Sequence, residues 1–339
     1  MEKVLSLSMF QLFAEMNLQL FAEPNTNTTG SAELSAENKT YYDMTLIDSA
    51  GPELIHDQFA QKRDIPKNGG KTIEFRKFSA LPKATQPLVE GVTPEGLSLN
   101  VTAITSEVSQ FGRYIVTSDV LELTSIDNMI VETTKLLGRQ AGLTLDTITR
   151  NAIIAVRNDH YASKIAEPNI ILKSESEMDD TCHLTVHTVK RAVATLKNNN
   201  TPKIDGSYIA IIHPYAAYDI MNDPEWIDVS KYAKPENIFE GEIGKIAGVR
   251  FIETSEAKIT SDGTFYTMLF GANAYATTEI TGGGLETIIK PKGSAGTADP
   301  LNQRSSIGWK AIKTAEILVP EYMIKILSRN EFSSSAKEN

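Results

Sequence analysis

The sequence has little cysteine and histidine, and it carries no excess of positive charge. Cys182 is the single cysteine among 339 residues, so no disulfide can form within the chain and nothing requires an oxidising compartment. Acidic residues outnumber basic residues by 43 to 33, and the resulting net charge of -10 opposes tight binding to DNA or anionic membranes. These shortages exclude a disulfide-stapled domain and disfavour a protein that grips DNA.

Long apolar runs are also missing. No stretch reaches the ~20 apolar residues that a membrane helix needs, so we expect no transmembrane segment. The apolar start at residues 4–14 has Glu2 before it and Glu15 directly after it, which does not fit a secretory signal peptide. We expect a soluble chain of cytoplasmic origin.

Residue patterns typical of catalytic and metal sites are few, and each has a simpler interpretation. His183 and His187 stand four apart on a predicted helix, near Cys182 and Asp180, and such spacing can place metal ligands on one face. The glutamate that hydrolytic zinc sites carry between two such histidines is missing. His213 ends an apolar strand and can serve as a general base only if an acid lies near it in space. We therefore predict no catalytic residue, no cofactor and no metal ligand.

Two glycine clusters invite comparison with phosphate-binding loops. They are Gly282 to Gly284 and the trio Gly241, Gly244 and Gly248. No Lys-Ser or Lys-Thr follows either cluster, and neither spacing fits a dinucleotide fingerprint. We predict turns at both places.

The first 45 residues are predicted to form an arm and a linker. The pentapeptide Gln-Leu-Phe-Ala-Glu occurs at residues 11–15 and again at 19–23, with apolar residues at helical spacing. Residues 24–39 are rich in Asn, Thr, Ser and Gly, which is typical of a flexible linker. We expect an apolar arm on such a tether to dock on a surface outside its own segment.

A long β-hairpin is predicted next. Strand-like alternation runs through Ile73, Phe75 and Phe78 and resumes from Leu97 through Ala103. The connection between them contains Pro82, Pro87, Gly91, Pro94 and Gly96, residues that resist helix formation. The hairpin lysines Lys67, Lys71, Lys77 and Lys83 are expected to be solvating charges, and an isopeptide crosslink from one of them to a neighbouring asparagine is the minor alternative.

The strongest helical pattern follows the hairpin. Ser125 is a plausible N-cap, Asp127 lies in the first turn, and the apolar periodicity extends to about residue 157. A helix over 126–157 would be roughly 48 Å long, which suits a structural spine. Gly138 and Gly142, one turn apart, indicate close packing or a bend.

The chain then alternates between helix and strand. The pattern predicts a strand at residues 170–173, a helix over 183–198, a buried strand at 208–212 and a helix over 215–221. Such alternation is typical of a mixed α/β unit, so we predict a second domain.

This order of elements resembles the Hong Kong ninety-seven-type fold of tailed-phage major capsid proteins. The resemblance is strengthened by phrases similar to those of the branch named for an N4-like phage, and together they cover most of residues 41–328. The phrases are LVEGVTPEG (88–96), QFGRYIVTSDVLEL (110–123), LGRQAGLTLD (137–146), GSYIAIIHP (206–214), GEIGKIAGVRFIET (241–254) and SSIGWK (305–310). Residues 16–22, MNLQLFA, are similar to the usual start of such proteins, so residues 1–15 are expected to be an extension from an earlier start codon.

The resemblance implies an α+β subunit with defined parts. They are an N-terminal arm and linker (1–45), a segment leading into the P-domain (46–66), an extended E-loop (67–110), the P-domain with its spine helix at about 126–157 (111–182), the A-domain (183–290), a return to the P-domain (291–332) and a tail (333–339).

The resemblance also implies the function and the partners. Hexamers and pentamers of the chain would form the icosahedral head around phage double-stranded DNA, assembled in the host bacterial cytoplasm and without catalysis. The arm is too short for an internal scaffolding domain, so a separate scaffolding protein is implied, along with a portal, a head maturation protease and, as an optional partner, a decoration protein. Two alternatives stay open: an encapsulin-like compartment shell and, more remotely, an intracellular α/β hydrolase that uses His213.

Overall fold

The computed structural model describes residues 44–78, 81–88, 90, 91, 93, 95–125, 129–167, 170–233, 244–294, 296, 299–333 and 336–339. The predicted arm and most of its linker, Asp127 and Gly241 lie outside these residues. The strands are β1 (Gln61–Ile65), β2 (Thr72–Phe78), β3 (Val101–Glu107), β4 (Ser109–Ser118), β5 (Asp159–Tyr161), β6 (Tyr208–Ile212), β7 (Lys245–Ile246), β8 (Val249–Glu253), β9 (Phe265–Phe270), β10 (Tyr275–Ile280), β11 (Glu286–Lys290), β12 (Arg304–Ile317) and β13 (Met323–Ser328). The helices are a lead helix that includes residues 44–50, then α1 (Asp119–Thr124), α2 (Met129–Ile154), α3 (Val186–Asn198), α4 (Pro214–Met221) and α5 (Pro224–Ala233).

A five-stranded sheet is organised around the long strand β12. Along one edge β12 pairs antiparallel with β4, and along the other it pairs antiparallel with β10 and then β11. Strand β1 extends the sheet by pairing parallel with β10. Because β12 has 14 residues, it is long enough to pair with three strands at once, and it is the central strand of this sheet.

Helix α2 is the predicted spine helix, and it packs across this sheet. Leu137, Ala141 and Leu145 share a buried cluster with Ile307 and Trp309 of β12. The indole Nε1 of Trp309 also donates to Gln140 Oε1 at 3.0 Å. The helix ends at Ile154, three residues before the predicted end.

The glycine pair of α2 allows the lead helix to lie directly against it. A Cβ on Gly138 would come within 2.6 Å of the Leu46 carbonyl oxygen, and one on Gly142 within 2.5 Å of the Ala50 carbonyl oxygen. Close packing, one of the two predicted reasons for these glycines, is therefore confirmed.

Strand β4 leads into the short helix α1, whose N-cap is Ser118 and whose C-cap is Ser125. The predicted start of the spine helix at residue 126 lies outside the described residues, so the role of Ser125 as its N-cap stays a prediction.

A second sheet has six strands in the order β5-β13-β9-β6-β8-β7. Strand β6, predicted at residues 208–212, is confirmed, and all five of its residues are buried. Helices α3 and α4 supply buried side chains to the core on this sheet, including Val189, Leu196 and Ile220.

In the second unit the predicted strand at residues 170–173 is missing, and the helix predicted over about 183–198 is present with a later start. Residues 170–173 form no strand, because only Leu172 is buried there while Ile170 and Ile171 are 50% and 61% exposed. The helix predicted from residue 183 begins at Val186, since the Thr185 side chain caps it by accepting from the Thr188 amide. His183 therefore precedes the helix.

Candidate subunit interface

The long hairpin, formed by β2, β3 and the connection at residues 79–100, is fixed to the body at its base. The two strands pair from Thr72 with Glu107 to Phe78 with Val101, as the sequence predicted for a hairpin. Phe75 is buried against Ala276 and Leu318, and Ser106 and Thr314 share a hydroxyl hydrogen bond of 3.1 Å. The base is therefore held by packing as well as by pairing.

Beyond that base, the connection presents apolar side chains to the outside. Every described residue in 81–100 is exposed. We call four of its leucines the tip leucines: Leu81 (53% exposed), Leu88 (78%), Leu97 (61%) and Leu99 (66%). Full burial of one such side chain contributes about 1.5–3 kcal/mol, so this exposed segment suits contact with another surface.

A second exposed apolar surface lies on β4 and α1. Among the described strands, β4 pairs only with β12, so its other edge has free backbone groups that can pair with another chain. The exposed apolar residues of this β4 surface are Tyr114 (72% exposed), Ile115 (40%), Val116 (49%), Val120 (63%), Leu121 (44%) and Leu123 (81%). Exposed apolar side chains concentrated in one segment are typical of interaction sites.

The hairpin lysines occupy the surface. Lys67, Lys71 and Lys83 are exposed, while Lys77 donates to Glu321 Oε2 at 3.2 Å. The Glu321 pKa is lowered, first by its own backbone amide and further by Lys77. Lys67, Lys71 and Lys83 therefore act as solvating charges. The isopeptide crosslink stays the minor alternative.

His213 has a structural position in the fold. Its Nδ1 accepts a hydrogen bond from the Tyr215 amide at 3.1 Å, which caps helix α4, and the ring packs against Tyr215 and Phe265. Burial lowers the pKa of His213 to about 4, so the ring is neutral near pH 7. Because the cap uses the Nδ1 lone pair, this nitrogen is not free to take a proton from a substrate.

The residues of the metal hypothesis are not brought together. Cys182 is fully buried and its Sγ accepts from the Asp179 amide at 3.4 Å, whereas His187 is exposed on helix α3. His183 Nε2 instead lies 2.9 Å from the Asp180 carbonyl oxygen. In the part of the chain that the structure describes, no group of three His, Cys, Asp or Glu side chains could hold a metal ion.

The glycine clusters form turns where they are described. Ala247 and Gly248, with φ angles of 52° and 85°, connect β7 and β8 in a two-residue hairpin. Gly282, with a φ angle of 83°, lies in the turn between β10 and β11. The turn predictions are confirmed at these positions.

Sequence reasoning missed a buried polar network between the spine helix and the sheet. Asp146 accepts from the His56 amide at 2.7 Å and contacts His56 Nδ1 at 2.6 Å. Nearby, Lys313 forms an ion pair of 2.9 Å with Asp57, and both side chains are buried. Asp146 was the available signal in the sequence, because an acidic residue within the apolar face of a predicted helix indicates a buried polar contact.

Comparison with known proteins identifies the fold. Residues 160–287 match the family model described as phage capsid protein, and no curated protein has significant similarity to the sequence. The capsid protein of the cyanophage P-SCSP1u superimposes with a TM-score of 0.63 at 16% identity, covering 80% of this chain and 87% of that one. The capsid protein of the cyanophage Pam1 gives a TM-score of 0.61 at 14% identity, covering 84% and 93%.

A third similar structure comes from an archaeon. The subunit of the virus-like particle from Pyrococcus furiosus gives a TM-score of 0.50 at 12% identity, covering 86% of this chain and 99% of that one. At such identities the likeness establishes the fold alone. This chain has the mixed α/β fold of phage capsid and related particle subunits.

None of the described helices is both long and apolar enough to cross a membrane.

Proposed function

We propose that this chain is the major capsid protein of a tailed bacteriophage. On this proposal it assembles as hexamers and pentamers into an icosahedral head that encloses double-stranded DNA, and it catalyses nothing. The observation that carries the proposal is the long hairpin, whose exposed tip leucines lie on a fold shared with capsid subunits. The phrases similar to the N4-like branch support placement in that branch.

The parts of the subunit then have assembly roles. The hairpin acts as the E-loop and covers a neighbouring subunit, and α2 stiffens the P-domain. Residues 183–290, which include β6 to β9 of the six-stranded sheet, form the A-domain around the capsomer axis. The N-terminal arm, residues 1–45, docks on the assembly. Many such contacts act together in a closed shell, so contacts that are individually weak stabilise the particle.

The charge balance agrees with a container. A lining that neutralised ~6–10 phosphates would bind DNA with a strong salt dependence, which would hinder packaging and release. The net charge of -10 opposes such tight binding to DNA. Loading and maturation of the head would involve a separate scaffolding protein, a portal and a maturation protease, with a decoration protein as an optional addition.

Sedimentation velocity of the chain, expressed with and without its candidate scaffolding protein, tests the proposal. We expect fast-sedimenting particles in the co-expression sample. A monodisperse monomer at high concentration in both samples would overturn the assembly role.

An encapsulin-like shell is the second candidate, favoured by the similarity to the particle subunit from Pyrococcus furiosus. The contents of particles isolated from the natural source discriminate the two. Double-stranded DNA supports the phage head, and a packaged cargo enzyme supports the compartment.

A further inference from the structure

Three carboxylates line a pocket beside helix α4, those of Asp219, Asp223 and Glu331. The pocket has a volume of about 280 Å³ and is lined by ten residues from four parts of the chain. The residues that matter below are Ile165, His183, Tyr218, Asp219, Asp223 and Glu331.

Asp219 is the unusual member of this pocket. Its side chain is only 3% exposed, and its Oδ2 has no hydrogen-bond partner among the described residues. A buried ionised carboxylate without a partner is costly, so this atom is suited to a donor supplied from outside the chain.

The nearby histidine does not supply that donor in its neutral form. His183 Nε2 lies 2.9 Å from the Asp180 carbonyl oxygen, and since a carbonyl only accepts, Nε2 must carry the proton. In the neutral ring, Nδ1 then carries a lone pair and no proton, and it lies 3.6 Å from Asp219 Oδ1. With His183 neutral and Asp219 ionised, both atoms are hydrogen-bond acceptors, so a cation or a proton between them would be favourable.

The other charged groups around the pocket differ in how they are satisfied. Both Asp223 oxygens accept backbone hydrogen bonds, from Val186 at 2.9 Å and from Glu225 at 2.8 Å. Arg329 pairs with Asp180 at 3.2 Å rather than with the pocket carboxylates. Glu331 is exposed and close enough to Asp219 for its charge to act on that carboxyl.

We propose that this pocket binds an alkylammonium group, with Asp219 and Glu331 as its anionic partners. The side chains of Ile165 and Tyr218, which are 56% and 43% exposed, line the same pocket and contact the alkyl stem. A metal ion is a poorer fit, because the described side chains include no set of three metal ligands. The group can come from a free polyamine or from a lysine of a second copy.

Protonation of Asp219 competes with the ligand. Burial, and then the charge of Glu331, raise the pKa of Asp219 to about 7. Since ammonium binding requires the carboxylate, the affinity rises as the pH increases from 6 to 8. The other titratable groups that face Asp219 are His183 and Glu331.

Calorimetric titration of the full chain with n-butylammonium chloride, against sodium chloride at equal ionic strength, tests the proposal. We expect saturable binding that strengthens from pH 6 to 8, with weaker binding of the neutral analogue n-butanol. The Asp219→Asn variant should bind at least about tenfold more weakly and lose the pH dependence. Asp262→Asn, which removes the same charge from an exposed turn, should bind as the wild type does.

A second variant covers the case in which Asp219→Asn does not fold. Glu331→Gln changes an exposed residue and should weaken binding without affecting the fold. Absence of saturable binding to dispersed wild-type subunits, or equal affinity in the wild type and the pocket variants, would overturn the proposal.

Assembled particles distinguish the two sources of the ammonium group. Binding by both dispersed subunits and particles identifies a site for a free amine. Binding by dispersed subunits alone indicates that a lysine of a neighbouring copy fills the pocket after assembly. Only this last comparison rests on the proposed function.

Discussion

At the scale of single residues, the fold depends on a charge pair inside its core. Lys313 and Asp57 are 1% and 8% exposed in their side chains, and Thr149 also donates to Asp57. The amine and the carboxylate compensate each other's loss of hydration, so removal of either one leaves an uncompensated buried charge.

Replacement of Lys313 by methionine should therefore destabilise the protein strongly. The Asp57 carboxylate would be left buried and unpaired, which costs about 3–5 kcal/mol in the free energy of unfolding. Lys190→Met is the control, because its pair with Glu225 is exposed and such pairs contribute about 0–1 kcal/mol. Chemical denaturation measures both, and equal losses would show that the buried pair has no special role.

His213 should make stability depend on pH. Its pKa is about 4 in the folded chain, below the ordinary 6.5, so the unfolded chain binds more protons between these values. Stability should fall as the pH decreases from about 6.5 toward 4, by on the order of 2–3 kcal/mol from this group. In His213→Asn, which keeps a capping acceptor, that part of the slope should disappear. An identical pH dependence in both proteins would contradict the assignment.

The position of His213 in the fold could be predicted from the sequence, and the buried network could not. His213 could be placed at the end of a strand because the run from Tyr208 to Ile212 is short and apolar. The pairing of His56 with Asp146 joins residues 90 positions apart, and no local pattern specifies it.

At the scale of elements, the contact between the lead helix and α2 depends on the absence of two side chains. Alanine at Gly138 and Gly142 would gain up to ~1 kcal/mol of helix propensity per site. The clashes with the Leu46 and Ala50 carbonyls should cost more, because overpacking typically costs about 1–3 kcal/mol per site. We expect a lower melting temperature for Gly138→Ala with Gly142→Ala. Thr144→Ala, at a half-buried position of the same helix, should change it little, and a stabilised double variant would refute close packing.

The hairpin tip should affect assembly and leave the folded subunit intact. Serine at the four tip leucines removes apolar surface that is already in water, so the free energy of unfolding should stay within about 0.5 kcal/mol for each site. Particle formation, measured by sedimentation, should be lost. Leu301→Ser, at a residue that is 75% exposed outside the hairpin, is the matched control. Normal particles from the tip variant would show that the tip leucines are not part of the proposed interface.

Elements with a strong local pattern could be predicted, and those defined by distant pairing could not. The spine helix, β6 and the hairpin all have periodicity or turn residues within their own segments. Strand β12 pairs with β4 from Arg304 with Ser118 to Lys313 with Ser109, across more than half of the chain. The strand expected at residues 170–173 failed for the related reason that an apolar run needs a neighbouring strand.

At the scale of the whole molecule, the exposed apolar surfaces lie on separate parts of the fold. The tip leucines belong to the hairpin, and the β4 surface belongs to the edge of the five-stranded sheet. A subunit with two such surfaces can contact one copy through the first and another copy through the second. Repeated contacts of this kind close into rings and shells when the geometry allows.

Electron microscopy of particles formed with the candidate scaffolding protein is the direct test of the proposed shell. We expect closed icosahedral shells of hexamers and pentamers, in which the hairpin of one subunit lies over its neighbour. Small compact particles, with or without the scaffolding protein, would contradict a role in building a shell.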